Sequence, residues 1–201
     1  MAGTAGVVLA AGAGSRFKSD GNTSHKLLTP FRGQPLAHWA IRAAAQAGFD
    51  VLVVVCGAVD SSKLAPIVAQ ATAPLMGDDE VVVVDNPHWA DGQSSSLQTG
   101  IRVADNYGLD AIVVGLADQP FTSADTWARI GQVQTPIGVA QYGTKRQPPV
   151  RLHRSVWPLL PTEGDFGARH LFEQHPQLVS AIVCKDNPVD IDTTEDLRRW
   201  N

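Results

Sequence analysis

The stretch Gly6-Val7-Val8-Leu9-Ala10-Ala11-Gly12-Ala13-Gly14-Ser15-Arg16-Phe17 runs from an apolar segment straight into a turn of small residues. An unalternating apolar run bounded by turn residues reads as a strand buried on both faces, the kind found in parallel sheets covered by helices. Small residues after such a strand let backbone N–H groups approach phosphate oxygens, while Ser15 adds a hydroxyl donor and Arg16 a charged fork. The turn therefore reads as a phosphate cradle. Two commoner cradles fail. A P-loop needs Gly-Lys-Ser/Thr after four intervening residues, which is missing. A Rossmann fingerprint needs a small residue where Phe17 stands and an acid about twenty residues later, yet no Asp or Glu lies between Asp20 and Asp50. Lys26, followed by Leu27 and Leu28, supplies a mobile cation suited to a triphosphate or a departing pyrophosphate.

Working outward, similar β-branched runs recur at Val51–Val55, Val81–Val84, Ala111–Gly115 and Leu178–Val183, after the first at Gly6–Ala10. Helical patterns lie between them at Ser61–Thr72, Ser95–Asn106, Ser123–Gln132, Ser155–Leu160, Ala168–Gln174 and Thr194–Trp200. Another helix fits Gln34–Gly48, with Pro35 at its first helical position and Leu36, Trp39, Ala40, Ala43 and Ala47 as one apolar stripe. Two helix starts read as capping boxes, Thr122-x-x-Asp125 and Thr193-x-x-Asp196. The order is β-α-β-α with one irregular middle section, which predicts an α/β fold with a mostly parallel, doubly wound sheet. The 201 residues suit a single domain.

The net charge of -4 lacks the clustered Lys and Arg that grip nucleic acid, so no polynucleotide partner is expected. The apolar N-terminal stretch has no Lys or Arg before it, which argues for a strand over a signal peptide. No run approaches the ~18 apolar residues of a membrane span, so a cytoplasmic location without membrane contact is expected. Cys56 and Cys184 each end an apolar run and read as buried, reduced thiols. The six histidines have no ligand spacing and read as non-metal residues.

Four further segments are read as following strands, where doubly wound sheets bind ligands. Asp118, after Ala111–Gly115, is placed to hold Mg²⁺, which takes one or two carboxylates plus phosphates. Asp192 is the second candidate metal ligand; Val189–Asp192 reads as a short strand, and Asp190 could exchange roles with it. Gln93 to Ser96 gather hydroxyls and free N–H groups at a helix start. Gly164–Arg169 reads as a loop closing over an anionic acceptor, with Arg169 as phosphate fork, or as a surface loop in which Asp165 caps a helix.

In this order the chain resembles the MobA-like nucleotidyltransferases, and within them the molybdenum cofactor cytidylyltransferase branch. The likeness rests on Leu9-Ala10-Ala11-Gly12 with Gly14-Ser15-Arg16, Lys26-Leu27-Leu28, Gly33-Gln34-Pro35-Leu36, Asn86-Pro87 and Gly92-Gln93-Ser94-Ser95-Ser96-Leu97. It continues through Ala117-Asp118-Gln119-Pro120, Pro148-Pro149-Val150, Gly164-Asp165-Phe166-Gly167-Ala168-Arg169 and Asp190-Ile191-Asp192-Thr193. The resemblance implies a Rossmann-like nucleotide-diphospho-sugar transferase fold with a small irregular acceptor-binding region. Residues to about 120 would form the nucleotide half and 121–201 the acceptor half. It makes Asp118 the principal metal ligand, sets Asp192 near the metal, and puts Gln93, Ser94 and Ser95 beside the base and ribose. Arg16, Lys26 and Asp118 carry catalysis; Leu9, Ala10, Ala11, Gly12, Gly14 and Ser15 complete the nucleotide site. Gly164, Asp165, Gly167 and Arg169 bind the acceptor.

Ala11 stands where guanine-using relatives have a second glycine, which favours CTP. The implied acceptor is a phosphorylated pterin, molybdopterin already carrying its metal, and a molybdenum enzyme or its maturation factor is the implied transient partner. From Phe17 to His25 the loop is longer than the Arg-Met-Gly path of many relatives. Competing readings are a sugar-phosphate-type nucleotidyltransferase, an NAD(P)-dependent oxidoreductase acting on a catabolite, and a non-catalytic nucleotide-binding module.

Overall fold

The opening run forms β1 (Thr4–Leu9), and every other strand is arranged about it in a computed structural model that describes residues 3–19, 24–73, 75–77 and 80–201. The remaining strands are β2 (Val51–Cys56), β3 (Val81–Asp85), β4 (Ala111–Leu116), β5 (Ile137–Tyr142), β6 (Lys145–His153) and β7 (Val179–Val183). They form one seven-stranded sheet in the order β3-β2-β1-β4-β6-β5-β7. Only β6 runs against its neighbours; the other adjacent pairs are parallel. The order reverses between β1 and β4, which opens a crevice beyond their carboxyl ends.

Alternate side chains of these apolar strands feed two cores, because successive residues of a strand point to opposite faces. Val8, Leu52, Val54 and Val113 pack under α2 (Leu36–Ala45), α3 (Ser61–Thr72) and α5 (Ala124–Gly131). Val7, Val53, Val55 and Val114 pack against α4 (Gln93–Asn106) through Leu97 and Ile101. Each such side chain contributes about 1.5–3 kcal/mol of hydrophobic stabilisation. A short α1 (Ser15–Ser19), α6 (Arg169–Gln174) and α7 (Thr194–Trp200) complete the helices. The expected doubly wound α/β sheet is thus present. Among the described residues no helix is long and apolar enough to cross a membrane.

The structure departs from the sequence reading in several places. The irregular middle section is a β5–β6 hairpin, hidden in the sequence by Pro148-Pro149 and by polar residues. Its register jumps between Val139, opposite Val150, and Ala140, opposite Gln147, so both prolines fall at an irregularity where a ladder bond is not required. Val189–Asp192 is not a strand: it has no ladder, and its Ile191 N–H donates to the Asp118 carbonyl at 3.0 Å. Ser123, not Thr122, caps α5, its Oγ accepting from Thr126 N–H, and Asp125 faces Arg129. Thr193 and Asp196 do form a capping box on α7.

Pro35 stands before α2 as its cap, because Gln34–Pro35 pairs with Pro30–Phe31 in a two-stranded ladder. The face of α2 against the sheet is Ala37, Ile41, Ala44 and Ala45; Leu36 and Trp39 instead join Phe31 and Ile191 in a small separate cluster. β3 and β7 are only half-buried, being the sheet edges. Cys56 and Cys184 are both buried and free, and burial first, then Asp85 and Asp60, pushes the Cys56 thiol up to about 12.

Candidate active site

The glycine-rich turn is suspended from the sheet at the switch point. Ala10 N–H donates to the Val55 carbonyl (2.8 Å), Ala117 N–H to that of Leu9 (3.0 Å) and Ala58 N–H to that of Ala11 (3.0 Å), so strand pairing holds both ends of Leu9–Ala11. Gly14 sits at φ 61°, a conformation that disfavours a side chain. Phe17 is fully buried and anchors the far side of the turn. The longer path to Lys26 ends on His25, whose Nδ1 accepts from Leu27 N–H, leaving Nε2–H to donate to the Gly12 carbonyl at 2.9 Å. Residues 20–23 of that path lie outside the described residues.

This histidine clamp, unread in the sequence, sets Lys26 against the two predicted metal ligands. Lys26 Nζ lies 2.6 Å from Asp118 Oδ2 and 2.8 Å from Asp192 Oδ1, and Arg16 Nη1 is 2.7 Å from Asp192 Oδ2. Burial pulls the Lys26 pKa down, but the two carboxylates outweigh it and hold the ammonium above its ordinary value. Lys26 is therefore charged at any physiological pH. Asp118 Oδ1 is buried without a hydrogen-bond partner among the described residues. Asp190 accepts from Gln119 Nε2 at 2.8 Å, and burial first, then the neighbouring Asp118 charge, raises its carboxyl above the usual range. Among the described residues no three His, Cys, Asp or Glu side chains form a closed metal-binding set.

Asp192 is delivered by the chain's final turn. Arg32, at φ 48° beside Gly33 at 82°, donates from its N–H to Asn201 Oδ1 (2.6 Å) and from Nε to the Trp200 carbonyl (3.1 Å). Phe121 packs edge-to-face on Phe31 and tilted against Trp200, at ring separations of 5.8 and 5.4 Å. The small hairpin after Lys26 and the helix after Asp192 are thereby bolted together.

A second region grows from the start of α4. Gln93 N–H donates to Asp165 Oδ1 (3.1 Å), Ser94 N–H to the Gly164 carbonyl (2.9 Å), and Gly164 N–H to that of Asp91 (2.9 Å). Asp165 thus caps α4, not the helix that follows it. The seat requires glycine: Gly92 has φ 107°, and a Cβ there would lie 2.5 Å from the Gly164 backbone. Ser95 Oγ donates within the same loop, to the His88 and Gly92 carbonyls, and the Ser94 hydroxyl is buried without a partner among the described residues. Neither serine lines the two cavities described next, and the Ser95 hydroxyl is engaged in holding the helix start.

Two cavities flank Asp165. A cleft of about 550 Å³ is lined by Leu9, Ala11, Gly12, Ser15 and Gln93, together with Asp118. It also takes in Ser96 and Trp89, the latter not singled out by the sequence reading. A second cavity of about 500 Å³ is lined by Asp165, Gly167 and Arg169, and also by Gln119, Arg146 and Asp190. Leu9, Gln93, Leu116 and Asp165 border both. Ala10 and Gly164 support the walls from behind.

A small-residue turn, a lysine and two carboxylates at the switch point of a doubly wound sheet define a nucleotide-binding α/β protein of the phosphate-handling kind. The chain belongs to the family of the MobA-like NTP transferase domain, whose family model matches residues 6–179. It is 29% identical over 196 residues to the purine catabolism protein PucB of Bacillus subtilis, covering 95% of this chain and 92% of that one. Among solved structures it is similar to Rv0371c of Mycobacterium tuberculosis, at 29% identity and a TM-score of 0.75 over 99% and 97% of the two chains. Rv0371c has also been solved in complex with manganese (TM-score 0.69). A nucleotidyl transferase from Methanothermobacter is similar at 25% identity and a TM-score of 0.74, over 98% and 94% of the two chains. The family makes the protein a nucleotidyltransferase.

Proposed function

We propose that the protein moves CMP from CTP onto the phosphate of a small acceptor, with Mg²⁺, releasing pyrophosphate, and that the acceptor is molybdopterin already carrying its metal. One observation carries the reading: Lys26 and Asp118, 92 positions apart, are joined beside a cleft walled by Gly12 and Ser15. The Leu9-Ala10-Ala11-Gly12 form supports the choice of CTP. Residues to about 120 serve the nucleotide and the remainder the acceptor, apart from Asp192.

The acceptor oxygen attacks the α-phosphorus in line and the bond to pyrophosphate breaks, so positioning and charge neutralisation supply most of the rate. Backbone N–H groups of the turn and the Ser15 hydroxyl hold the phosphate chain. Lys26, with three N–H donors, exchanges part of its carboxylate contact for phosphate oxygens and remains positive throughout. Arg16, exposed on the rim, offsets charge developing on the leaving group. Asp118 Oδ1, unpartnered, and Asp192 fit a hard divalent ion that keeps much of its water. Such an ion, when bound, neutralises phosphate charge. Gly164–Gly167 and Arg169 hold the acceptor, and a molybdenum enzyme or its maturation factor in the cytoplasm collects the product.

The test is pyrophosphate release over the four triphosphates with Mg²⁺, with and without metal-loaded molybdopterin. Release with CTP that depends on molybdopterin is expected. Turnover with sugar phosphates alone would reassign the acceptor. Tight NAD(P)H binding without any pyrophosphate release would overturn the reading.

A further inference from the structure

The acceptor cavity does not end at Arg169. It continues into a trough of about 640 Å³ reaching Gln141, Thr144 and Lys145 at the β5–β6 turn, and Arg146, Arg169 and Phe172 border both spaces. Lys145, Arg146 and Arg169 make no ion pair among the described residues, and Glu173 is the one acid on the trough wall. In a chain of net charge -4, three cations left unneutralised around one concavity repel one another and raise the local concentration of anions.

The arrangement is held by ordered backbone. Lys145 and Arg146 stand opposite Tyr142 and Gln141 in the hairpin ladder, and Arg169 N–H donates to the Phe166 carbonyl at 3.2 Å. The cavity that carries Gln119 and Asp190 along with Arg146 and Arg169 also presents the apolar side chains of Leu97, Val114, Val150 and Phe172. A single phosphate reacting beside Lys26 would use none of the basic end.

We propose that the acceptor is an elongated molecule with two anionic ends: the phosphate that reacts, an apolar or flat middle, and a second anionic group received by Lys145, Arg146 and Arg169. This rests on the acceptor-phosphate reading above and specifies the substrate class it takes. Arginine forks suit a phosphate or carboxylate, and binding to both ends fixes how far the reacting phosphate enters.

The experiment titrates the nucleotide-bound protein, with Mg²⁺ and a non-hydrolysable CTP analogue, with α,ω-alkanediol bisphosphates of increasing chain length and the matching monophosphates. One bisphosphate length is expected to bind about tenfold more tightly than its monophosphate, the effect of one or two charge-assisted hydrogen bonds. That advantage should vanish in the K145Q/R146Q double variant, which keeps the melting temperature and the monophosphate affinity. Equal affinities, no binding of either probe, or an advantage that survives the double substitution overturns the proposal. Pyrophosphate release with molybdopterin alongside equal probe affinities removes only this inference, whereas failure to bind any triphosphate removes the reading beneath it.

Discussion

In the nucleotide cleft the cations are already spoken for: Lys26 lies between Asp118 and Asp192, and Arg16 takes the other oxygen of Asp192. In the acceptor trough Lys145, Arg146 and Arg169 have no such partner among the described residues. The first arrangement keeps buried charge compensated until a polyphosphate replaces one set of contacts with another, which costs little reorganisation. The second offers its charge outright, so it selects ligands by attraction and not by exchange. On the proposed reading, one region reacts and the other chooses.

Breaking the paired side should have the largest effect. Asp118→Ala is expected to lower turnover about a thousandfold or more, as loss of a group worth several kcal/mol to charge stabilisation implies; pyrophosphate release measures it, with circular dichroism confirming the fold. Lys26→Met should slow turnover about a hundredfold. By leaving two carboxylates facing each other, it should also remove about 1–3 kcal/mol of stability in urea denaturation. A Lys26→Met protein as active as the parent would mean that the paired lysine only braces the site.

The junction between the regions is tested by Gly92→Ala. The added Cβ meets the Gly164 backbone at 2.5 Å at a strained φ, so a loss of about 1–3 kcal/mol is expected. Chymotrypsin should then cut more readily at Phe166, which is 66% exposed on the loosened loop. Thr193→Ala, which removes the cap behind Asp192, should cost about 1 kcal/mol. Hydrogen bonds from the Thr193 side chain and backbone hold the Asp196 carboxyl below its usual range. Their contribution is present above the ordinary carboxylate pKa and is lost as pH falls through the folded value, so parent and variant should converge in acid.

The smallest effect is expected at Asp190→Asn, where the Gln119 contact can persist. Because burial and Asp118 raise the Asp190 pKa, its ionised form opposes folding above that value. The variant should therefore melt slightly higher at neutral pH, the gain disappearing as pH falls toward the unfolded pKa of about 4.

The buried strands and most helices were legible because their chemistry is local: Val51–Cys56 is apolar at every position and fully buried, and Ser61–Thr72 carries its own start signal in Asp60. The hairpin was not, because its prolines are excused by a register shift that only the partner strand defines. At the site, Asp118 and Lys26 were readable from their position after strands and turns. The His25 clamp and the Asp165 bond to the start of α4 were not legible because those hydrogen bonds go to residues 13 and 72 positions away. A contact of that range leaves no periodic or spacing signal in the sequence.

The clasp of Arg32 by Trp200 and Asn201 makes the order of synthesis matter. A growing chain can lay down β1, the glycine turn and Lys26 early, yet the second acid at the lysine is not secured until α7 has been made and docked. Until then Lys26 has only Asp118 of its two acids, and the charge cluster closes only once α7 is in place.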